Sequence, residues 1–365
     1  MTNILTIGMP VAQIPTPALI IDKQGFEDNL HRMAHFFNGP VKLRPHIKTH
    51  KCPVIAHRQV EAGAIGITCA KLSEAEVMAE QGIYDILIAN QVAGYDKARR
   101  LACLASISDV KVAVDNKENI DDLDGAALAF GSKIGVVIEV DVGNDRCGTR
   151  SMEETLQLAT YISEKKGLVF KGLMGYEGHC VFITDKEERA MACTKANKIL
   201  VDSAVMLKSN GFEVEIVSAG GTGTYDMSGT YPGITEIEAG SYIFMDGRYT
   251  DVIGNELFSP ALWVLSTVIS KPRPGLAIVD AGMKCLTHEF GLPQPLLAGA
   301  TLEGLSEEHG RIILASEADS LKVGDLVKIK PSHGCTTVNL HGIYHVVHND
   351  KLVDVWEIKC RGKYQ

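Results

Sequence analysis

The sequence predicts an α/β protein: a (β/α)8 barrel of the TIM type, followed by a smaller antiparallel β domain. Three observations lead there. Eight short, β-branched, apolar runs alternate with stretches whose apolar residues fall at helical spacing. The runs are nearly continuous in hydrophobicity, as parallel strands covered on both faces must be. After about residue 255 the helical stretches give way to short strands separated by turns.

In order, the runs are VKLRPHI (41–47), AIGITCA (64–70), YDILIAN (84–90), DVKVAV (109–114), KIGVVIEVDV (133–142), LVFKGLMGY (168–176), FEVEIVSAG (212–220) and ITEIEAG (234–240). Between them lie segments such as CPVIAHRQVEAG, LSEAEVMAEQG and MEETLQLATYISEKKG, which close on glycine as helix C-termini do. A doubly wound open sheet would use the same alternation; a count of eight favours the closed barrel. Residues 20–255 are therefore assigned to the barrel and 256–365 to the β domain. There, strands such as ALWVLSTVISKPRPGLAIVDAG are broken by Pro, Gly and Asn-Asp turns. Residues 1–19 also read as extended and are expected to add a strand to that domain.

The 365 residues, 45% of them hydrophobic, sustain a large core and more than one domain. A charged fraction of 22% argues against disorder. A formal charge of −9 without long basic runs excludes nucleic acid and anionic membrane as expected partners. No apolar run reaches membrane-spanning length, and the first residues lack the basic segment and cleavage site of a signal peptide. Nine scattered cysteines fit reduced thiols in the cytoplasm.

In a barrel, catalytic groups gather where strands end and the loops to the helices begin. The first run ends in KLRPHIKTHKCP (42–53), which sets Lys42, Arg44, His46, Lys48, His50 and Lys51 in an otherwise acidic chain. Arg44, His46 and Lys48 alternate at period two and would point inward together. A lysine at a barrel mouth is partly desolvated and lies near other cations. Both effects favour the neutral amine that attacks carbonyls. For most lysines the blander reading, a solvated cation on a loop, holds. The fifth run ends in DVGNDRCG with Arg146, and the sixth in GYEGHC with Tyr176 and His179. The seventh ends in SAGGTGTYD and the eighth in EAGSYIFMDGRY with Tyr242.

The AGGTGT loop, with Gly221, Thr222 and Gly223, can turn several backbone N–H groups toward one anion. It is neither a P-loop nor GxGxxG. A glycine-rich turn is often only a turn, but phosphate sites in barrels form after strands seven and eight. Phosphate on one side of the mouth and a nucleophilic lysine on the other suggest pyridoxal 5′-phosphate (PLP) held as a Schiff base on Lys48. The other cations at that strand end would then serve the phosphate and an anionic amino-acid substrate. In PSHGCTTVNLH, His333 and Cys335 are two apart. In an extended segment they face one side and could share a metal with open positions. A polar turn with a buried cysteine explains the spacing equally well. His288, His341, His345 and His348 read as surface or core histidines.

Taken together, TPALIIDKQGFEDNL, LRPHIKTHKCP, DVGNDRCG, GGTGTYD, EAGSYIFMD, IVDAGMK and PSHGCTTVNLH resemble the D-threonine aldolase/D-serine dehydratase family. These are PLP enzymes of the alanine-racemase-like fold type III. The resemblance runs in order over nearly the whole chain. It implies a PLP barrel, a C-terminal β domain, a divalent metal such as Zn²⁺ or Mn²⁺, and a homodimer. By position it makes Lys48, not Lys51, the Schiff-base lysine. It sets Arg146 at the cofactor ring and Tyr176 beside it. Gly221, Thr222, Gly223 and Tyr242 fall on the phosphate, and His333 and Cys335 on the metal. The aldolase branch tends to carry His-x-Asp at the metal and the dehydratase branch His-x-Cys, so Cys335 departs from a chain otherwise closer to the aldolases. A catalytic histidine stands several residues after the tyrosine in the aldolases it resembles; here His179 follows Tyr176 by three.

The expected activity is retro-aldol cleavage of a D-3-hydroxy-α-amino acid, D-threonine or similar, to glycine and an aldehyde. The metal would lower the pKa of the β-hydroxyl, and His179 or a metal-bound hydroxide would take its proton. The alternative is a D-serine or D-3-hydroxyaspartate dehydratase, in which Lys48 takes the α-proton and a 2-oxo acid and ammonia result. A non-catalytic PLP-binding protein, a racemase and a barrel lyase without PLP are rivals. The first is disfavoured by the β domain with its His-Cys pair, and the second lacks the expected tyrosine base from that domain.

Overall fold

The computed structural model describes residues 5–365; the first four residues of the expected N-terminal strand lie outside them. A strand, β1 (Ala18–Asp22), precedes eight that alternate with helices: β2 (Lys42–Leu43), β3 (Ile67–Cys69), β4 (Asp85–Gln91), β5 (Asp109–Val114), β6 (Ile134–Glu139), β7 (Leu168–Met174), β8 (Ile216–Ala219) and β9 (Glu236–Ile237). Each predicted run overlaps one of these eight, and only β4, at Gln91, extends beyond its run. They pair in parallel in the order β2-β9-β8-β7-β6-β5-β4-β3. The Ile65 N–H donates to the Leu43 carbonyl at 3.0 Å, and a parallel bridge joins His46 to Thr68, so the two ends of the sheet meet and the barrel closes. Leu87, Ala113, Val137, Met174 and Ile216, one from each of five adjacent strands, form a buried belt.

Side-chain caps start several of the helices. Asn116 accepts from the Asn119 N–H ahead of Lys117–Phe130, and Ser151 and Asp185 do the same for Met152–Ser163 and Lys186–Ser209. Such a cap contributes about 1 kcal/mol. Lys117–Phe130 ends at Gly131, whose φ of 64° is the left-handed turn that glycine takes without strain.

The N-terminal edge of the barrel corrects one expectation. Arg44 is engaged by two carboxylates of the protein itself. Its Nε donates to Glu236 Oε1 at 3.0 Å and its Nη1 to Asp85 Oδ1 at 2.6 Å. Lys111 Nζ reaches the same Asp85 oxygen at 2.7 Å. Asp85 and Glu236 are the first residues of β4 and β9, at the edge where barrels carry stability rather than catalysis. Alternation set Arg44 inward as expected, but its partners were already in place.

The remaining strands are β10 (Leu262–Arg273), β11 (Leu276–Val279), β12 (Gln294–Pro295), β13 (Ala300–Leu305), β14 (Gly310–Leu314), β15 (Leu326–Lys330), β16 (Ile343–His348) and β17 (Lys351–Glu357). They pair antiparallel among themselves. β1 joins them, antiparallel to β10 and parallel to β16. Ile20, Trp263, Leu265, Val347 and Leu352 pack in a core of this sheet's own. The chain divides into two compact units: Met33–Lys48, Pro53–Gly240 and Gly362–Gln365 form the barrel unit, and residues up to Arg32, Thr49–Cys52 and Ser241–Arg361 form the β unit. The sequence reading put this division at 255/256. The earlier division at 240/241 follows from Phe244, whose carbonyl accepts the Ala261 N–H at 2.8 Å beside β10. Among the described residues no helix is long and apolar enough to cross a membrane.

Candidate active site

The barrel unit gathers a set of groups around the ring of Tyr176, just past β7. Lys48, in a 3-10 turn after β2, holds its Nζ 5.5 Å from the ring centroid. The Arg146 guanidinium lies 5.8 Å from the same centroid. A Cβ built on Gly221 would come within 3.2 Å of the ring, and one on Gly223 within 2.4 Å of the Val181 carbonyl oxygen. A side chain at Gly223 would push the loop off its backbone support, and one at Gly221 would press on the Tyr176 ring. Lys48, Arg146, Tyr176 and the Gly221–Gly223 loop are thus brought together, from four strand ends distant in sequence. His179 is exposed on the same loop as Tyr176, and a Cβ on Gly143 would stand 3.1 Å from its ring.

Sequence reasoning missed three carboxylates here, because a lone Glu carries no motif. Glu139, at the end of β6, accepts from Gln91 Nε2 at 2.6 Å and lies 3.6 Å from Arg146 Nη2. Burial pushes its carboxyl up, against the pull of Gln91 and Arg146. Glu177 is buried beneath the glycine loop, where it accepts from the Gly220 N–H and the Thr224 and Ser228 hydroxyls. Glu238, after β9, accepts from Ser218 Oγ at 2.7 Å. Burial pushes its carboxyl up to about 7, and the opposing pulls of Ser218, Lys48 and Arg44 do not cancel it.

Glu238 gives a pH prediction. Its folded value lies above its unfolded one, so the stability it contributes is complete below about pH 4.5 and is lost as pH rises through 7. A shift of this size corresponds to about 3 kcal/mol. Protein without added PLP should lose roughly that much more stability than Glu238→Gln between pH 5 and pH 8 in denaturant titrations. Parallel pH profiles for the two proteins would refute it.

The β unit holds the other predicted residues. Tyr242 is fully buried on the turn Ser241–Ile243, its ring 5.9 Å from that of Phe258. His333 and Cys335 do not lie on a strand. His333 precedes the short helix Gly334–Val338, whose Gly334 N–H donates to Asp246 Oδ2 at 2.8 Å. The helical start, anchored by buried Asp246, replaces the period-two alternation that the spacing suggested. The two side chains still meet, His333 within hydrogen-bond reach of Cys335. Burial alone would lower the His333 imidazole; Cys335, Asp246 and Glu289 outweigh it and push it up to about 9. His333 Nδ1 lies 2.6 Å from Glu289 Oε1, and Cys335 Sγ lies 3.4 Å from Thr49 Oγ1.

The donor chemistry fits the two groups named above. An amine and a guanidinium beside a flat aromatic ring, with a glycine-threonine loop, are what PLP uses. A thiol and an imidazole whose second nitrogen is held by a carboxylate are what a soft divalent metal uses. Among the described residues no cluster of three or more His, Cys, Asp or Glu is arranged as a metal cage.

Two family models match in succession, the alanine racemase N-terminal domain over residues 21–247 and a serine dehydratase domain over 261–347. D-threonine aldolase of an Arthrobacter species is 39% identical over 97% of this chain and 95% of its own length. The chain belongs to the D-threonine aldolase/D-serine dehydratase family. Within that family the solved D-threonine aldolase of Filomicrobium marinum superposes with a TM-score of 0.96 at 37% identity, covering 99% of each chain. The D-threo-3-hydroxyaspartate dehydratase of Delftia sp. HT23 is more distant. It is 28% identical with a TM-score of 0.87, over 95% of this chain and 98% of that one. A cysteine-to-alanine variant of a D-threo-3-hydroxyaspartate dehydratase has been solved in a metal-free form.

Proposed function

We propose that the protein is a PLP- and divalent-metal-dependent lyase that cleaves D-threonine-like D-3-hydroxy-α-amino acids to glycine and an aldehyde. The observation that carries this reading is the convergence of Lys48 and Arg146 on Tyr176 beside the Gly221 loop, in a chain 39% identical to a D-threonine aldolase. PLP, when bound, supplies an electron sink for the bond broken at the substrate α-carbon. Lys48 would provide the amine that links to it, and Tyr176 an aromatic surface beside that amine. Arg146, paired with Glu139 at 3.6 Å, would hold a positive charge beside the cofactor. Gly221, Thr222 and Gly223 would take the phosphate. A divalent metal on His333 and Cys335 would lower the pKa of the substrate β-hydroxyl. His179, exposed beside Gly143, takes the hydroxyl proton. The same proposal makes the protein a homodimer in the cytoplasm, a location supported by nine cysteines that form no disulfide among the described residues.

Cys335 supports a second reading, dehydration of D-serine or D-3-hydroxyaspartate, because it gives the His-x-Cys pattern of the dehydratase branch. One incubation separates the two. Protein with PLP and Mn²⁺ or Zn²⁺ is given D-threonine, D-serine or D-3-hydroxyaspartate. The aldolase releases glycine and an aldehyde; ammonia with a 2-oxo acid would instead establish the dehydratase. Chelation should abolish turnover and readdition of the metal should restore it. Turnover indifferent to chelator would remove the metal from the scheme.

A further inference from the structure

Glu177 stands out among the groups that the proposed reaction does not use. It follows Tyr176 in the chain, is fully buried, and has no opposite charge among its hydrogen-bond partners. Three of its partners belong to one loop and the short helix Tyr225–Ser228 after it, and the Cys193 thiol on Lys186–Ser209 is a fourth, longer contact at 4.0 Å. Oε2 accepts from the Gly220 N–H at 3.1 Å, and Oε1 accepts from Thr224 Oγ1 and Ser228 Oγ, both at 2.7 Å. A carboxylate can only accept, so the Thr224 hydroxyl points its hydrogen at Glu177 and leaves its oxygen to the Gly221 N–H, 3.1 Å away. The result is a polarised chain from Gly221 through Thr224 to Glu177, in a water-excluded place where each link strengthens the next.

This chain fixes the backbone that leads into Thr222 and Gly223. Gly220 turns at φ +83°, a conformation only glycine takes without strain, and its N–H is held from below. Gly221 is held from below through Thr224, with the Tyr176 ring against it. Ser228 is tied in turn to Asn197 and Cys193 on the helix Lys186–Ser209. A loop that must meet a phosphate with backbone donors works best when its shape is set before the anion arrives.

Resting on the proposed reading of this loop as the phosphate cradle, we propose that Glu177 is a positioning residue. Its carboxylate preorganises Gly220–Thr224 for the cofactor phosphate, through Gly220 and Thr224, without touching the cofactor. In Glu177→Gln the amide oxygen can still accept from Thr224 and Ser228, but the amide NH₂ then faces the Gly220 N–H, donor against donor. In Thr224→Val the relay is cut while Glu177 stays. Thr224→Ser keeps it.

The discriminating measurement compares two probes, PLP and unphosphorylated pyridoxal, titrated into the cofactor-free protein and followed by their absorption bands. A structural defect weakens both alike; a cradle defect weakens only the phosphorylated one. Glu177→Gln and Thr224→Val should each lose about tenfold or more in PLP affinity, the scale of a lost hydrogen bond to a charged group. Pyridoxal affinity should stay within about twofold and Thr224→Ser should match the parent, since the relay is kept there. If the parent protein binds neither probe, the cradle reading falls and the inference with it. If the parent prefers PLP and both Glu177→Gln and Thr224→Val keep that preference unchanged, Glu177 has no such role and the cradle reading stands. Should Glu177→Gln fail to fold, the valine and serine variants at 224 decide by the same comparison.

Discussion

Lys48→Ala is expected to abolish the visible band of the PLP-loaded protein and to lower turnover by about a thousandfold or more, the scale of losing an activated amine nucleophile. Two lysines compete for this role in KLRPHIKTHKCP, and spacing alone does not choose between them. Geometry supports the first. Lys48 holds its amine 5.5 Å from the centroid of the Tyr176 ring, which Arg146 also faces. Lys51 belongs to the β unit, with a left-handed φ of 53° and its carbonyl accepting the Cys360 N–H at 3.0 Å. Lys51→Ala should accordingly keep the band. Borohydride reduction followed by peptide mass spectrometry reads the outcome directly. A pyridoxyl group on Lys51, or on neither lysine, would end the assignment.

The difference between these lysines shows what was legible in the sequence. Hydrophobic runs located all eight barrel strands, because a strand buried on both faces has to be apolar along its length. Strand ends then located Lys48, Arg146, Tyr176 and the Gly221–Gly223 loop, since in a barrel those ends converge whatever their separation in the chain. Three kinds of feature were not legible. The β-unit boundary depends on backbone hydrogen bonds such as Ala261 to Phe244, which side-chain patterns do not record. His333 and Cys335 meet across a helix start set by Asp246, a residue far from both in sequence. Glu139, Glu177 and Glu238 are single buried acids whose meaning comes wholly from their neighbours. Arg44 was misjudged for the same reason: inward alternation was correct, but the carboxylates awaiting it lie on β4 and β9.

Arg44 accordingly leads to the largest stability effect. Its side chain and that of Glu236 are each only 3% exposed. Burial alone would lower the guanidinium, yet Glu236 and Asp85 hold it above its ordinary value. Asp85 keeps a second partner in Lys111 when Arg44 is removed. Glu236 is paired with Arg44 and would be left as a buried charge. Arg44→Leu should therefore cost about 3–5 kcal/mol in denaturant unfolding of the cofactor-free protein. Adding Glu236→Leu should recover most of that, because an apolar pair of similar volume carries no desolvation cost. The double variant separates the two accounts of this cluster. If the cations at the first strand end served a bound anion, the single and double variants would be equally stable and equally poor at binding PLP. If the pair is internal, stability falls and returns while PLP affinity stays near that of the parent. Opposite movement of stability between the two variants is the outcome that the buried contacts require.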